Sequence, residues 1–223
     1  MDSAQESRVL STWLSPTAAL IQKPDSQSDT QVAILQLGLM RNLLTRFSSD
    51  QEAWFAVVHE KALVQTLVAT AHHALRTRQR PEVVTGAVSV LLTLVRSGSH
   101  GCESVLSTDL VHLLWLPLSE LKTADLKWVG AFTLTLQLVS ALLRQAGQRA
   151  LDVTISFVAL LQEQLTSFLL SALSTRATVQ PSARHIELTS ASASLISQLF
   201  VYYRQWQIQH PVSLANFYHA MAR

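Results

Sequence analysis

Few residues of this 223-residue chain are typed and spaced for chemistry. The adjacent pair His72-His73 is the first candidate for holding a metal. Neighbours on a helix project about 100° apart, so the two rings are poorly placed to share one ion. His59 precedes them without the His-Glu-x-x-His spacing that sets two ligands and a base on one helix face. His100 and Cys102 share a Gly-Ser stretch and would supply half of a tetrahedral site, but a second pair of ligands is missing. Ser97-Gly98-Ser99-His100-Gly101 gathers serine, histidine and glycine, yet it is not Gly-x-Ser-x-Gly and follows no strand. A helix C-cap explains it without chemistry. The carboxylates Glu60, Glu82, Glu103, Glu120, Glu163 and Glu187 are scattered, and 6 glycines leave little material for a phosphate loop. No catalytic, cofactor-binding or metal-binding set emerges, and a non-enzyme is expected.

Binding surfaces are better represented. Arg76, Arg78 and Arg80 alternate through a helix end and its loop, a positive patch for an acidic partner or a set of cations complementing the helix dipole. Tyr202, Tyr203, Trp206, Phe217 and Tyr218 concentrate aromatic rings around the break His210-Pro211. Aromatic side chains and arginine are favoured at interfaces, although such rings also pack helices together. These eight residues are the candidate protein interface.

Long leucine-rich stretches must position them. After the polar loop from Lys23 to Asp29, a helix is expected from Thr30, with Val32, Leu35, Leu39, Leu43 and Phe47 along one side. Ser49-Asp50-Gln51-Glu52 resembles a capping sequence, and a helix continues from Lys61 to about Thr77. Pro81 at a helix start leads to about Arg96, where Gly98 and Gly101 end the helix. Ser107-Thr108-Asp109 caps Leu110–Leu116, and Pro117 predicts a kink or stop. Thr123-Ala124-Asp125 opens a helix closed by Gly147, and Arg149–Leu173 follows with Phe157, Leu160 and Leu161 in its buried stripe. Beyond the loop at residues 174–182, helices are expected at 183–223, so the regions are 1–29, 30–173, 174–182 and 183–223 of one segment.

No alternating strand pattern occurs, and the fold class is all-α. Units starting near Thr30, Pro81, Ala124 and Ala183 repeat at roughly forty to sixty residues, compatible with the ~40–47 of HEAT and armadillo repeats. An irregular HEAT/armadillo-like α-solenoid of antiparallel helix pairs is therefore expected. Charged residues make up 14% against roughly 25% in ordinary domains, and mean hydropathy is +0.24. That shortage leaves helix surface to be buried against flanking repeats or partners. A net charge of +2 does not announce a nucleic-acid binder, and the single Cys102 fits a reducing compartment. The uncharged runs Trp128–Leu143 and Leu188–Tyr203 are shorter than the ~18–20 residues of a membrane span, and no transmembrane segment is expected.

The texture of Leu110–Leu121, Trp128–Leu143 and Leu195–Trp206, with phrases such as Leu113-Leu114-Trp115-Leu116-Pro117-Leu118 and Leu199-Phe200-Val201-Tyr202-Tyr203-Arg204, resembles the large inner-ring scaffold nucleoporins. That is the nucleoporin 188 and nucleoporin 205 family. The resemblance implies a piece of a longer α-solenoid that supports the nuclear pore and docks other scaffold nucleoporins or flanking repeats. It implies a place at the nuclear envelope, no cofactor and no small-molecule substrate. A free-standing helical adaptor in trafficking or signalling, cytoplasmic in location, is the alternative. A membrane-associated hairpin of Trp128–Leu143 and Asp152–Leu173 is a further one.

Overall fold

The computed structural model describes residues 27–47, 61–78, 80–121 and 126–157, with residues 186–188, 190–192, 194–195 and 198 beyond them. Its elements are α1 (Gln27–Phe47), α2 (Lys61–Thr77), α3 (Pro81–Ser97), α4 (Ser99–Leu106), a π-helical turn (Val111–Trp115) continuing into α5 (Leu116–Ser119), and α6 (Val129–Ala146). Short 3-10 turns, Leu126–Trp128 and Gly147–Ala150, flank α6, and residues 151–157 are helical again. No strand occurs among the described residues, and the chain is all-α.

The central helix is α3, which packs most extensively against α6, α1 and α2. Its five valines are poor helix formers, because β-branching costs side-chain freedom in a helix. Tertiary burial outweighs that: Val83, Val84, Val88, Val90 and Val95 are all buried, each contributing on the order of 1.5–3 kcal/mol. Pro81 begins α3, where its missing N–H costs nothing. On α6 the buried Thr133 and Thr135 donate their hydroxyls back to the carbonyls of Val129 and Ala131 at 2.8 and 2.7 Å, so neither of these two hydroxyls is left without an acceptor.

Helix α1 turns a different face inward from the one expected. Ala33, Leu37, Met40 and Leu44 are buried, whereas Val32, Leu35 and Leu39 are 42%, 72% and 38% exposed and Leu43 is half-buried. Two apolar stripes compete on this helix, and α3 decides between them. Gly86 of α3 lets Leu37 approach so closely that an added Cβ would stand 3.0 Å from its Cδ1. The side chain of Phe47 lies outside the described residues.

The glycine pair after α3 also acts differently from a simple stop. Gly98, with φ of 155° and ψ of −179°, ends α3 in a conformation nearly confined to glycine, but the chain re-enters a helix at once. His100, Gly101 and Cys102 therefore lie on α4 rather than in a loop. Gly101 presses against the backbone of α3: a Cβ there would overlap the Leu94 carbonyl oxygen and stand 2.8 Å from its carbon. Glu103 of α4 accepts a 2.7 Å hydrogen bond from Arg149, an exposed ion pair reaching the turn after α6.

Pro117 neither stops nor breaks its helix. Asp109 caps the segment, its Oδ1 accepting from the His112 N–H at 3.2 Å, as the Ser-Thr-Asp sequence predicts. The chain then widens so that the Leu116 N–H reaches the Val111 carbonyl, a five-residue step, before Pro117 enters. In α-helical register the Leu113 carbonyl would need an N–H at residue 117, which proline lacks. His72 of α2 replaces it, with Nδ1 donating to the Leu113 carbonyl at 2.9 Å. Trp115, fully buried in the same turn, stacks obliquely on Phe157 at 4.7 Å between centroids.

Candidate interaction surface

The residues considered for chemistry are placed in structural roles or apart. His72 holds the π-helical turn, and His73 is half-buried on α2. Ser97 donates its hydroxyl to the Thr93 carbonyl at 2.8 Å within its own helix, and His100 is exposed on α4. Cys102 is 1% exposed. Burial, with the neighbouring Glu103 adding to it and Arg149 opposing it, pushes its thiol from 9.0 up to about 11. A thiol so protonated is a core group rather than a nucleophile or ligand. Among the described residues no three His, Cys, Asp or Glu side chains converge as a metal site would require.

The arginine series divides into three environments. Arg76 is exposed in the last turn of α2, where the helix dipole favours a cation. Arg78 follows with φ of 53°, a left-handed conformation that disfavours a side chain, and its guanidinium pairs with Glu120 at 3.8 Å. Arg80 is half-buried, and its carbonyl accepts from the Val83 and Val84 N–H groups at 3.1 and 3.4 Å. Tyr202, Tyr203, Trp206, Phe217 and Tyr218 lie outside the described residues, as does His59.

A surface that motif reading missed runs along α6, beside α1 and α3 in its first half and beside residues 186–194, with Arg96 of α3, in its second. Its first cavity, of about 420 Å³, is bounded by Gly38 and Arg41 of α1, Glu82, Thr85 and Ser89 of α3, and Lys127, Gly130 and Thr133 at the start of α6. A second, of about 520 Å³, is bounded by Arg96 at the end of α3, Gln137, Ser140 and Arg144 of α6, and Ser190 and Ser194. Glu187 borders both, so the two form one furrow. Because the first joins the N-terminal halves of α3 and α6 and the second their C-terminal parts, the two helices run parallel.

Helical periodicity builds the walls. Glu82, Thr85, Ser89 and Arg96 are spaced by three, four and seven residues, and Lys127, Gly130, Leu134, Gln137, Ala141 and Arg144 by three and four. Small side chains leave the space: a Cβ at Gly38 would meet nothing within 4 Å, and one at Gly130 only Thr85 at 3.7 Å. The available signal was this stripe of small and polar residues on two helices that are otherwise buried. Arg144 is held at the wall. Gln198, with its amide oriented to satisfy its neighbours, accepts from Arg144 Nε and Nη2 at 2.8 Å each and donates to the Ser140 carbonyl at 2.9 Å.

No known family profile matches the chain. It is similar to nucleoporin NUP188 of Mus musculus and of Homo sapiens, 25% identical to each over 197 residues, which cover 81% of this chain and 11% of theirs. The chain thus spans about a tenth of the length of the curated relatives it matches. No solved structure matches it. Among the described residues no helix is long and apolar enough to cross a membrane, and Trp128–Leu143 lies in and beside the buried α6.

Proposed function

We propose that the chain is a non-enzymatic scaffold segment of the nuclear pore complex, working through contacts with other scaffold nucleoporins or with flanking repeats. The observation that carries this reading is the similarity to NUP188 across most of the chain, on an all-α fold. The packing order supports a solenoid arrangement. Helices that are not neighbours in sequence lie side by side, α1 on α3 and α3 on α6 in one row, with α2 on the π-helical turn and Trp115 on Phe157 in the other. Such alternation is what stacked antiparallel pairs of HEAT or armadillo type produce. The shortage of charge fits the same reading, since stacked units bury both flanks.

Imaging the full chain carrying a fluorescent tag in cells tests it. A rim at the nuclear envelope, with capture of identified scaffold nucleoporins, is the expected result. A diffuse cytoplasmic signal without nucleoporin capture would instead fit the free-standing adaptor and overturn the scaffold assignment.

A further inference from the structure

The charges along the furrow specify an occupant. Arg41 and Lys127 line its first cavity and Arg96 and Arg144 its second, against two carboxylates, Glu82 and Glu187, and all six side chains are exposed. Cations thus stand in both halves of the furrow, with Glu187 where the halves meet. Arg144 is pre-positioned by Gln198, and a guanidinium bound through one edge keeps further N–H donors for an incoming oxyanion. The rise of ~1.5 Å per residue puts Glu82 and Arg96 ~21 Å apart along α3. An extended chain of about six residues covers that distance. An extended chain reaches both cation pairs with about six residues where a helix would need about fourteen, so the shortest occupant is extended. A uniformly charged phosphate backbone would meet Glu82 and Glu187 unfavourably. A polypeptide can place neutral or basic residues opposite them.

We propose that the furrow along α6 binds an extended, acidic segment of a partner protein, its carboxylates engaging Arg41 and Lys127 in one half and Arg96 and Arg144 in the other. The occupant's being a protein rests on the scaffold reading above. Its failure is distinguishable, because peptide binding in vitro and localisation at the nuclear rim are separate readouts.

The test is fluorescence anisotropy on the purified full chain with a labelled peptide of about eight residues, acidic at both ends and Gly-Ser between, long enough for the ~21 Å run. The same peptide with Asn and Gln replacing Asp and Glu, and a thymidine oligonucleotide of equal length, are the comparison probes. The acidic peptide is expected to bind at least tenfold more tightly than the amide version, and less tightly as salt rises. Arg96→Glu with Arg144→Glu, both at exposed positions, should weaken it at least tenfold with the circular dichroism spectrum unchanged. Gly38→Leu should also weaken it while leaving the unfolding temperature no lower, because its Cβ enters open space. Equal binding of acidic and amide peptides would overturn the proposal, as would indifference to both variants. Oligonucleotide binding as tight as that of the peptide would overturn the peptide as occupant.

Discussion

Alanine placed at Gly101 and at Gly38 should move stability in opposite directions, although both positions are helical. At Gly101 the new Cβ overlaps the Leu94 carbonyl oxygen and stands 2.8 Å from its carbon, and these are backbone atoms of the central helix, unable to rotate away. Overpacking costs about 1–3 kcal/mol, and an immovable neighbour puts this case at the upper end. Alanine's better helix propensity returns about 1 kcal/mol, leaving a net loss of about 2 kcal/mol. For a chain of this size that lowers the unfolding temperature by roughly 4–8 °C. At Gly38 a Cβ meets nothing within 4 Å, so only the propensity gain of about 1 kcal/mol operates and the midpoint rises. Urea titrations followed by helical circular dichroism measure both variants under one condition. If Gly101→Ala unfolds at the wild-type midpoint, α4 does not lie against Leu94, and the reasoning about the α3–α4 junction is wrong.

Replacing His72 with Ala should cost about 1 kcal/mol by leaving the Leu113 carbonyl without its donor, and less in a Pro117→Ala background, where an N–H returns to that carbonyl; a double-mutant cycle in urea reads the coupling. Cys102 should resist a thiol reagent in the native state at pH 8 and react once urea unfolds the chain. Its raised pKa contributes stability that is whole below the unfolded value of 9.0 and is lost as pH rises through about 11, which unfolding midpoints measured between pH 8 and 11 would register. Arg78→Gly should relieve the left-handed backbone at φ of 53° and raise stability by up to about 1 kcal/mol, since the exposed pair with Glu120 at 3.8 Å contributes little; a lowered midpoint would assign that pair a larger role.

Much of the helix order was legible because its signals are local. Pro81 starts α3, Asp109 caps the following segment, and Gly147, with φ of 53°, closes α6, each at the position the sequence predicts. The failures share a cause: the deciding atom lies on another helix. Val32, Leu35 and Leu39 form as regular a stripe as Ala33, Leu37, Met40 and Leu44, and the second is the one whose Leu37 meets the missing side chain at Gly86 of α3. Gly101 reads as a helix stop until the Leu94 backbone is placed beside it. Pro117 reads as a kink or stop, but that the distortion takes the form of a π-helical turn served by His72 is not legible, because that donor is 41 residues away.

The same argument explains why the candidate site escaped motif reading. Catalytic and metal sites announce themselves through reactive residues at fixed spacing, but a furrow for an extended chain needs something less distinctive: missing bulk along two parallel helices and cations along its length. Gly38, Gly86 and Gly130 do not do the same work. Gly86 closes the α1–α3 contact, whereas Gly38 borders empty space and Gly130 makes only an ordinary contact with Thr85. One glycine is therefore used for packing and two leave room. Helix packing alone would favour alanine at Gly38, for propensity, so glycine there carries a cost that the fold does not require. A groove that must admit a backbone gives that cost a purpose, and the effect of Gly38→Leu on peptide binding measures it.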